Sequence, residues 1–306
     1  MTSQQFLVCD ASTLANFKQW AQGISGFFAT AGWVQTSDTG QVNWSTISTI
    51  PGSGVYVYEI WKPGDALTPY YVKMEYGNVS GSANSPGLRL TVSTATDGAG
   101  NPTLFIMGPY RTTVATYTTP SATTQYECDF SGDSGSIRGM MWRNGINACQ
   151  QFFAISRSVD GTGARTGAYV TMALAGYWNG TASSTATQQS LVFGRGPAPG
   201  WISQPNGGGT GNNSGWGVRP GSSSTGVSGG GAFAGSIPLD LIAPLVGYFD
   251  YPCPDVGVAF NNDLQEGVTF TATVYGATRT YLPSKASFLT QVGACGAPAI
   301  LCMRFD

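Results

Sequence analysis

The sequence predicts a mainly β protein: an antiparallel, sandwich-like domain or domains with one N-terminal amphipathic α-helix. Three features point there. Residues 12–32 repeat their apolar side chains at steps of three and four, whereas beyond Gly32 the spacing falls to about two. The later segments are short and rich in Val, Ile, Thr, Tyr, Phe and Trp, with Gly, Pro, Asn and Asp between them. Two of these breaks hold an Asp-Gly pair, Asp97-Gly98 and Asp160-Gly161, which supplies the positive φ that tight hairpin turns demand. Consecutive strands are therefore expected to run antiparallel, in a meander or sandwich rather than a parallel α/β sheet.

The helix is predicted from "STLANFKQWAQGISGFFATAG", where Leu14, Phe17, Ala21, Ile24, Phe28 and Ala31 form one stripe. Asp10 or Ser12 can cap its start and Gly32 can end it. Gly23 and Gly26 each cost about 1 kcal/mol relative to Ala, so the helix needs packing to hold it. The stripe is expected to dock on the protein's own sheet. Trp20 and Phe27 lie beside it and would widen the apolar face enough to contact a neighbouring subunit.

Strands are then expected, in order, at "WVQTS", "QVNWSTI", "VYVYEIW", "YYVKMEY", "LRLTVST", "TLFIMG", "TTVATYT", "GMMWRN", "QQFFAISRSV", "AYVTMALAGYW" and "QSLVFG". Together with the helix these make a first unit, residues 1–196. From Pro197 to Gly231 glycine is too dense to bury enough side-chain area, so a long loop or insertion is expected. Its Trp201 and Trp216 either staple the loop to the domain or bind something. Residues 232–306 resume with "LIAPLVGYFDYP", "VGVAFN", "GVTFTATVYGATRTYLP" and "AILCMRFD". These strands are expected to complete the sheets of the same domain.

Only 10% of the 306 residues are charged, against roughly 25% in ordinary soluble domains, while the hydrophobic share is an ordinary 42%. Gly, Ser, Thr and Asn must then supply the polar surface. A net charge of −2, with the basic residues scattered, leaves no electrostatic footprint for nucleic acid or an anionic membrane. No apolar stretch approaches the roughly 20 residues of a spanning helix, and "MTSQQFLVCD" lacks the pattern of a standard secretory signal. The six cysteines (Cys9, Cys128, Cys149, Cys253, Cys295 and Cys302) are sparse and never form C-x-x-C, so free thiols are favoured, with Cys149 and Cys302 in apolar runs.

The chain contains no histidine, which removes the imidazole that a Ser-His-Asp triad, a Cys-His dyad or a His-ligated metal site needs. Gly132-Asp133-Ser134-Gly135 is thus read as a turn and not a nucleophile motif. Gly226-Val227-Ser228-Gly229-Gly230 fits G-x-S-x-G but sits in Gly/Ser filler, and none of the four lysines stands three residues after a serine. A carboxylate pair remains the one acid–base route, with Glu59 and Glu75 the best candidates. If Tyr56, Tyr58 and Ile60 face the core together with Val72, Met74 and Tyr76, then Glu59, Lys73 and Glu75 share the opposite face. The same geometry describes a plain cross-strand ion pair. "NNDLQEG" departs from the calcium-loop pattern, and no phosphate-binding loop is present, so no cofactor or metal is expected.

The stretches "FKQWAQGISGFFATAGWVQTSDTGQVNW", "VYEIWKPGDAL" and "YYVKMEYG" resemble the opening of uncharacterised virion structural proteins of tailed bacteriophages, and "GVTFTATVYGATRTYLPS" with "LCMRFD" is similar to their ending. The resemblance covers about half the chain, at its two ends. It implies a particle component assembled in the bacterial cytoplasm, acting by contact with other virion proteins and with copies of itself in the tail, baseplate or fibre-attachment region. Capsid decoration is the nearest alternative. A module for a host surface glycan or receptor is a second class, with Trp201 and Trp216 as the stacking surface, and a carboxylate-based polysaccharide-cleaving enzyme is a third.

Overall fold

The structure, a computed structural model, describes residues 1–9, 13–52, 55–78, 86–113, 125–143, 146–160, 162–176, 189–196, 242–247, 251–259, 267–274, 276–283 and 300–306. It is mainly β and antiparallel, with one helix among these residues. Among the described residues no helix is long and apolar enough to cross a membrane.

The helix α1 (Leu14–Thr30) is capped one residue after Ser12 and three after Asp10, the two caps expected. Thr13 is the N-cap, its Oγ1 accepting from Asn16 N at 3.2 Å, because only a hydroxyl immediately before the first turn reaches that amide. Gly32 ends the helix as expected, in the left-handed region at φ 89°, where a Cβ would be strained. The buried side is wider than one stripe: Phe17, Trp20, Ala21, Ile24, Phe27 and Phe28 are all inside.

Sheet B is a sequential meander of five strands: β2 (Val34–Gln35), β3 (Tyr56–Lys62), β4 (Tyr71–Asn78), β5 (Pro86–Thr96) and β6 (Pro102–Thr113). Sheet A has six strands in the order β1 (Thr2–Cys9), β7 (Gln125–Asp133), β8 (Ser136–Arg143), β9 (Ile146–Val159), β10 (Arg165–Gly176) and β11 (Gln189–Gly196). Every described pairing is antiparallel. Both Asp-Gly breaks are hairpins as expected. In each, the aspartate carboxylate accepts two backbone amides of its own turn, Ala99 and Asn101 for Asp97, Thr162 and Ala164 for Asp160. Gly98 and Gly100 both sit at positive φ.

Two strands escape the sequence pattern. β1 opens on Thr-Ser-Gln-Gln, and β7 places Glu127, Asp129 and Ser131 where one apolar face would be expected. Asp129 and Ser131 are nonetheless buried, because sheet A is covered on both sides. Conversely, "QVNWSTI" is turn and irregular chain: Asn43 ties down Ser45 and Thr46, and Trp44 turns inward. "TTVATYT" beyond residue 113 and the Gly-rich segment 197–231 lie outside the described residues.

The C-terminal strands differ from expectation. β12 (Ile242–Gly247), β13 (Tyr251–Ala259), β14 (Phe270–Val274), β15 (Ala277–Pro283) and β16 (Ile300–Arg304) form a sheet of their own, sheet C, in the order β12-β13-β16-β15-β14. They pack on sheet A through β13 against β9, without adding to its edges.

The main core lies between sheets A and B, with α1 filling it. Phe27 meets Phe130 of sheet A at 5.4 Å between ring centroids, while Phe28 stacks on Trp61 of sheet B at 5.5 Å and Trp20 meets Tyr76 edge-on. Each such ring contributes about 1.5–3 kcal/mol through burial alone. A separate apolar cluster in sheet C joins Ala272, Val274, Tyr281 and Cys302.

Candidate functional site

Register decides what the two candidate carboxylates can do. On β3 and β4, Glu59 stands opposite Met74 while Tyr58 stands opposite Glu75. Met74, Val72 and Tyr76 point into the core, so Glu59 does too, and Glu75 projects from the other side of the sheet. The expected phase of β3 is thus corrected: Val57, Glu59 and Trp61 face inward, and Tyr56 and Tyr58 face outward. Glu59 and Glu75 cannot share a substrate between them, since the sheet itself separates them.

A polar cage explains the inward glutamate. Its Oε1 accepts from Trp44 Nε1 at 2.7 Å and Ser25 Oγ at 2.9 Å, and its Oε2 accepts from Trp61 Nε1 and Tyr76 Oη, both at 3.3 Å. Helix, loop and two strands each donate to one carboxylate that is 2% exposed. Burial raises its pKa, and the four hydrogen bonds only partly offset that. The arrangement fixes which face of β3 is outermost.

That outer face carries a ladder of half-buried side chains. Lys73 Nζ lies 3.9 Å from the Tyr58 ring centroid and donates to Gly100 O at 2.9 Å. The Arg89 guanidinium lies 4.7 Å from the Tyr56 ring, and its Nε is 3.5 Å from Glu75 Oε2. Tyr58 Oη donates to Thr39 O at 2.9 Å. Burial lowers the Lys73 pKa and, with the nearby Asp38, Asp97 and Glu75 charges, raises that of Tyr58. Tyr and Arg are the residue types that concentrate binding energy at protein interfaces. The sequence signal existed in "VYVYEIW" and "LRLTVST", but the inverted phase of β3 hid it.

The residues singled out from sequence fall elsewhere. Trp20 and Phe27 are 2% and 0% exposed inside this chain's own core, so in this structure they offer no surface to a neighbouring subunit. Trp201 and Trp216 lie outside the described residues, as do Gly226–Gly230 and residues 261–266 of "NNDLQEG". Ser134 and Gly135 form the two-residue β7–β8 turn, as expected. The Ser134 carbonyl accepts from Gly64 N at 2.8 Å and Asp65 N at 3.2 Å, while Asp133 is paired with Arg165. Cys128 and Cys302 are free, buried thiols. Among the described residues no group of three or more His, Cys, Asp or Glu side chains is placed to hold a metal.

No family model matches the sequence, and comparisons with curated proteins and with solved structures found no match.

Proposed function

We propose that this chain is a bacteriophage virion structural protein that works by protein–protein contact in the tail, baseplate or fibre-attachment region, assembled in the host cytoplasm. The observation that carries the reading is the outer face of sheet B, where Tyr56, Tyr58, Lys73, Glu75 and Arg89 stand in register, partly exposed. Such a face combines aromatic area with charges that already have neighbours, Arg89 beside Glu75 and Lys73 against the Tyr58 ring and the Gly100 carbonyl, and it is of the kind a protein partner covers. A charge-poor, hydroxyl-rich chain and the resemblance of its two ends to phage virion proteins support the same reading.

A glycan-binding module is less well served by this face. Sugars stack on open aromatic rings, and here Lys73 and Arg89 already occupy a face of Tyr58 and Tyr56. The deciding experiment is incorporation: particles assembled with a Tyr56→Ala/Arg89→Ala chain should carry at least tenfold less of it than wild type while the isolated variant stays folded. Equal incorporation removes the sheet B face from the contact, and absence of the wild-type chain from particles ends the virion reading. Micrographs of labelled particles then separate a tail from a capsid-surface position.

A further inference from the structure

A sheet ends at a strand that has a neighbour on one side only, and the unpaired N–H and C=O groups there can accept another strand. Most such edges in this molecule are covered. In sheet B the edge of β3 is met by residues 36–42: Thr36 N donates to Ile60 O at 2.9 Å, Val42 N donates to Tyr58 O at 2.8 Å, and Gln41 Oε1 accepts from Ile60 N at 2.8 Å. At the opposite edge β6 packs along β10 and β11, β11 also meets β12, and β12 meets β14, so that sheet C curls towards itself. The first strand of sheet A is different. β1 pairs with β7 through Thr2–Cys9 and packs on α1, yet Ser3, Gln4 and Gln5, three residues in succession, are exposed. Successive side chains of a strand point to opposite faces, so among the described residues this stretch is open on both.

Register fixes which backbone groups the edge offers. Only Ser134 and Gly135 separate Asp133 from Ser136, its partner on β8, and the pair that closes a two-residue hairpin exchanges its hydrogen bonds across the turn. Bonding direction alternates along β7, so Asp133, Ser131 and Asp129 bond towards β8, whereas Gly132 and Phe130 bond towards Thr2 and Gln4 of β1. The N–H and C=O groups of Ser3 and Gln5 therefore point away from β7, to the open edge. The usual guards of an edge are missing from it. Residues 2–9, Thr-Ser-Gln-Gln-Phe-Leu-Val-Cys, hold no charge, no proline and no glycine, and their register with β7 runs without a bulge. β2, by contrast, is guarded by being two residues long.

We propose that β1 is a docking edge for a second copy of this chain: two β1 strands pair antiparallel about a twofold axis and join two six-stranded sheets into one of twelve strands. The occupant follows from the edge itself. Turned about a twofold axis, an antiparallel edge sets its C=O groups against the N–H groups of its own copy, so the strand is its own complement. An uncharged strand also meets no like charge when it faces itself. Ser3 and Gln5 supply the hydrogen-bonded positions, and the short polar side chains of this stretch can bond across the axis as well. The inference stands apart from the sheet B face and from the virion reading, since the contact lies on the other sheet and needs only this chain.

Charge placed on the edge tests it in the full chain. In sedimentation equilibrium the wild-type chain should approach dimer mass as its concentration rises. Ser3→Lys/Gln5→Lys sets like charges across the axis while leaving the bonds to β7 in place, and should raise the dimer dissociation constant by about tenfold or more. Ser3→Glu/Gln5→Glu should do the same, and mixing the two variants should restore a 1:1 heterodimer, at about tenfold or more the dimer content of either alone. A wild-type chain that stays monomeric overturns the proposal. So does a dimer that both charged variants retain, because the copies then meet elsewhere, and so does a dimer lost in both and not recovered on mixing. If the variants do not fold, amide exchange of the wild type decides. The Ser3 and Gln5 amides should slow as the protein is concentrated while that of Gln4 does not change, and exchange at Ser3 and Gln5 that ignores concentration overturns the pairing.

Discussion

Arg157 on β9 grips Asp65 in the β3–β4 connection with two parallel hydrogen bonds, Nε to Oδ2 at 2.9 Å and Nη2 to Oδ1 at 2.8 Å, and so ties sheet A to sheet B. The guanidinium is fully buried, lies 4.8 Å from the Tyr70 ring centroid, and also donates to Gly167 O. Removing the carboxylate strands a buried cation. Asp65→Ala is therefore expected to cost about 3–5 kcal/mol in urea unfolding. Glu75→Ala removes the looser, partly exposed Arg89 partner and is expected to cost under about 1 kcal/mol. Equal losses for the two variants would contradict the assignment of Arg157 as the tie between the sheets.

The β5–β6 turn offers a matched pair of glycines. Gly98 and Gly100 both adopt positive φ, at 76° and 90°, but a Cβ on Gly98 meets nothing whereas one on Gly100 would overlap the Tyr58 hydroxyl. Gly98→Ala should therefore cost only the backbone term, about 1–2 kcal/mol. Gly100→Ala adds a clash against a ring that Thr39 and Lys73 hold in place, and is expected to lower the melting temperature by at least twice as much.

Glu59 links stability to pH with a definite sign. Its folded pKa is raised above the ordinary 4.5, chiefly by burial, so the folded state binds more protons than the unfolded chain between 4.5 and that raised value. The contribution of this group is fully present below about pH 4.5 and declines as pH rises through its folded pKa. Glu59→Gln removes the titration. The difference in unfolding free energy between wild type and Glu59→Gln should thus shrink as pH is raised across this window. A difference that is flat or grows with pH contradicts the raised pKa.

How far these features were legible in the sequence depends on the periodicity each one obeys. The helix and the Asp-Gly hairpins were readable because spacing and turn chemistry agree there. The phase of β3 was not, because Tyr56, Val57, Tyr58, Ile60 and Trp61 are all apolar or aromatic, so alternation gives no preference, and the single charge was taken to point outward. What overrides that expectation is four donors brought from Ser25, Trp44, Trp61 and Tyr76, a gathering visible only in three dimensions. β7 was missed for the related reason that Asp129 and Ser131 are polar and yet buried, on the face of sheet A turned away from the helix. Sheet C was expected to extend its neighbours, since strand patterns carry no information about which sheet a strand joins.

The thiols of Cys128 and Cys302 report on separate parts of the fold. Cys128 is buried in the main core, where burial first and then the Asp129 and Glu127 charges push its pKa well above the ordinary thiol value. Cys302 is buried in the cluster of sheet C. Neither should react with iodoacetamide in the native protein at pH 8, and both should react once the chain is unfolded, as read by peptide mass spectrometry. Between these limits the order is informative. A sheet of five strands released from sheet A has too little core to stay closed by itself, so in urea below the main transition Cys302 should be labelled before Cys128. Simultaneous labelling of the two would mean that sheet C opens only with the whole molecule.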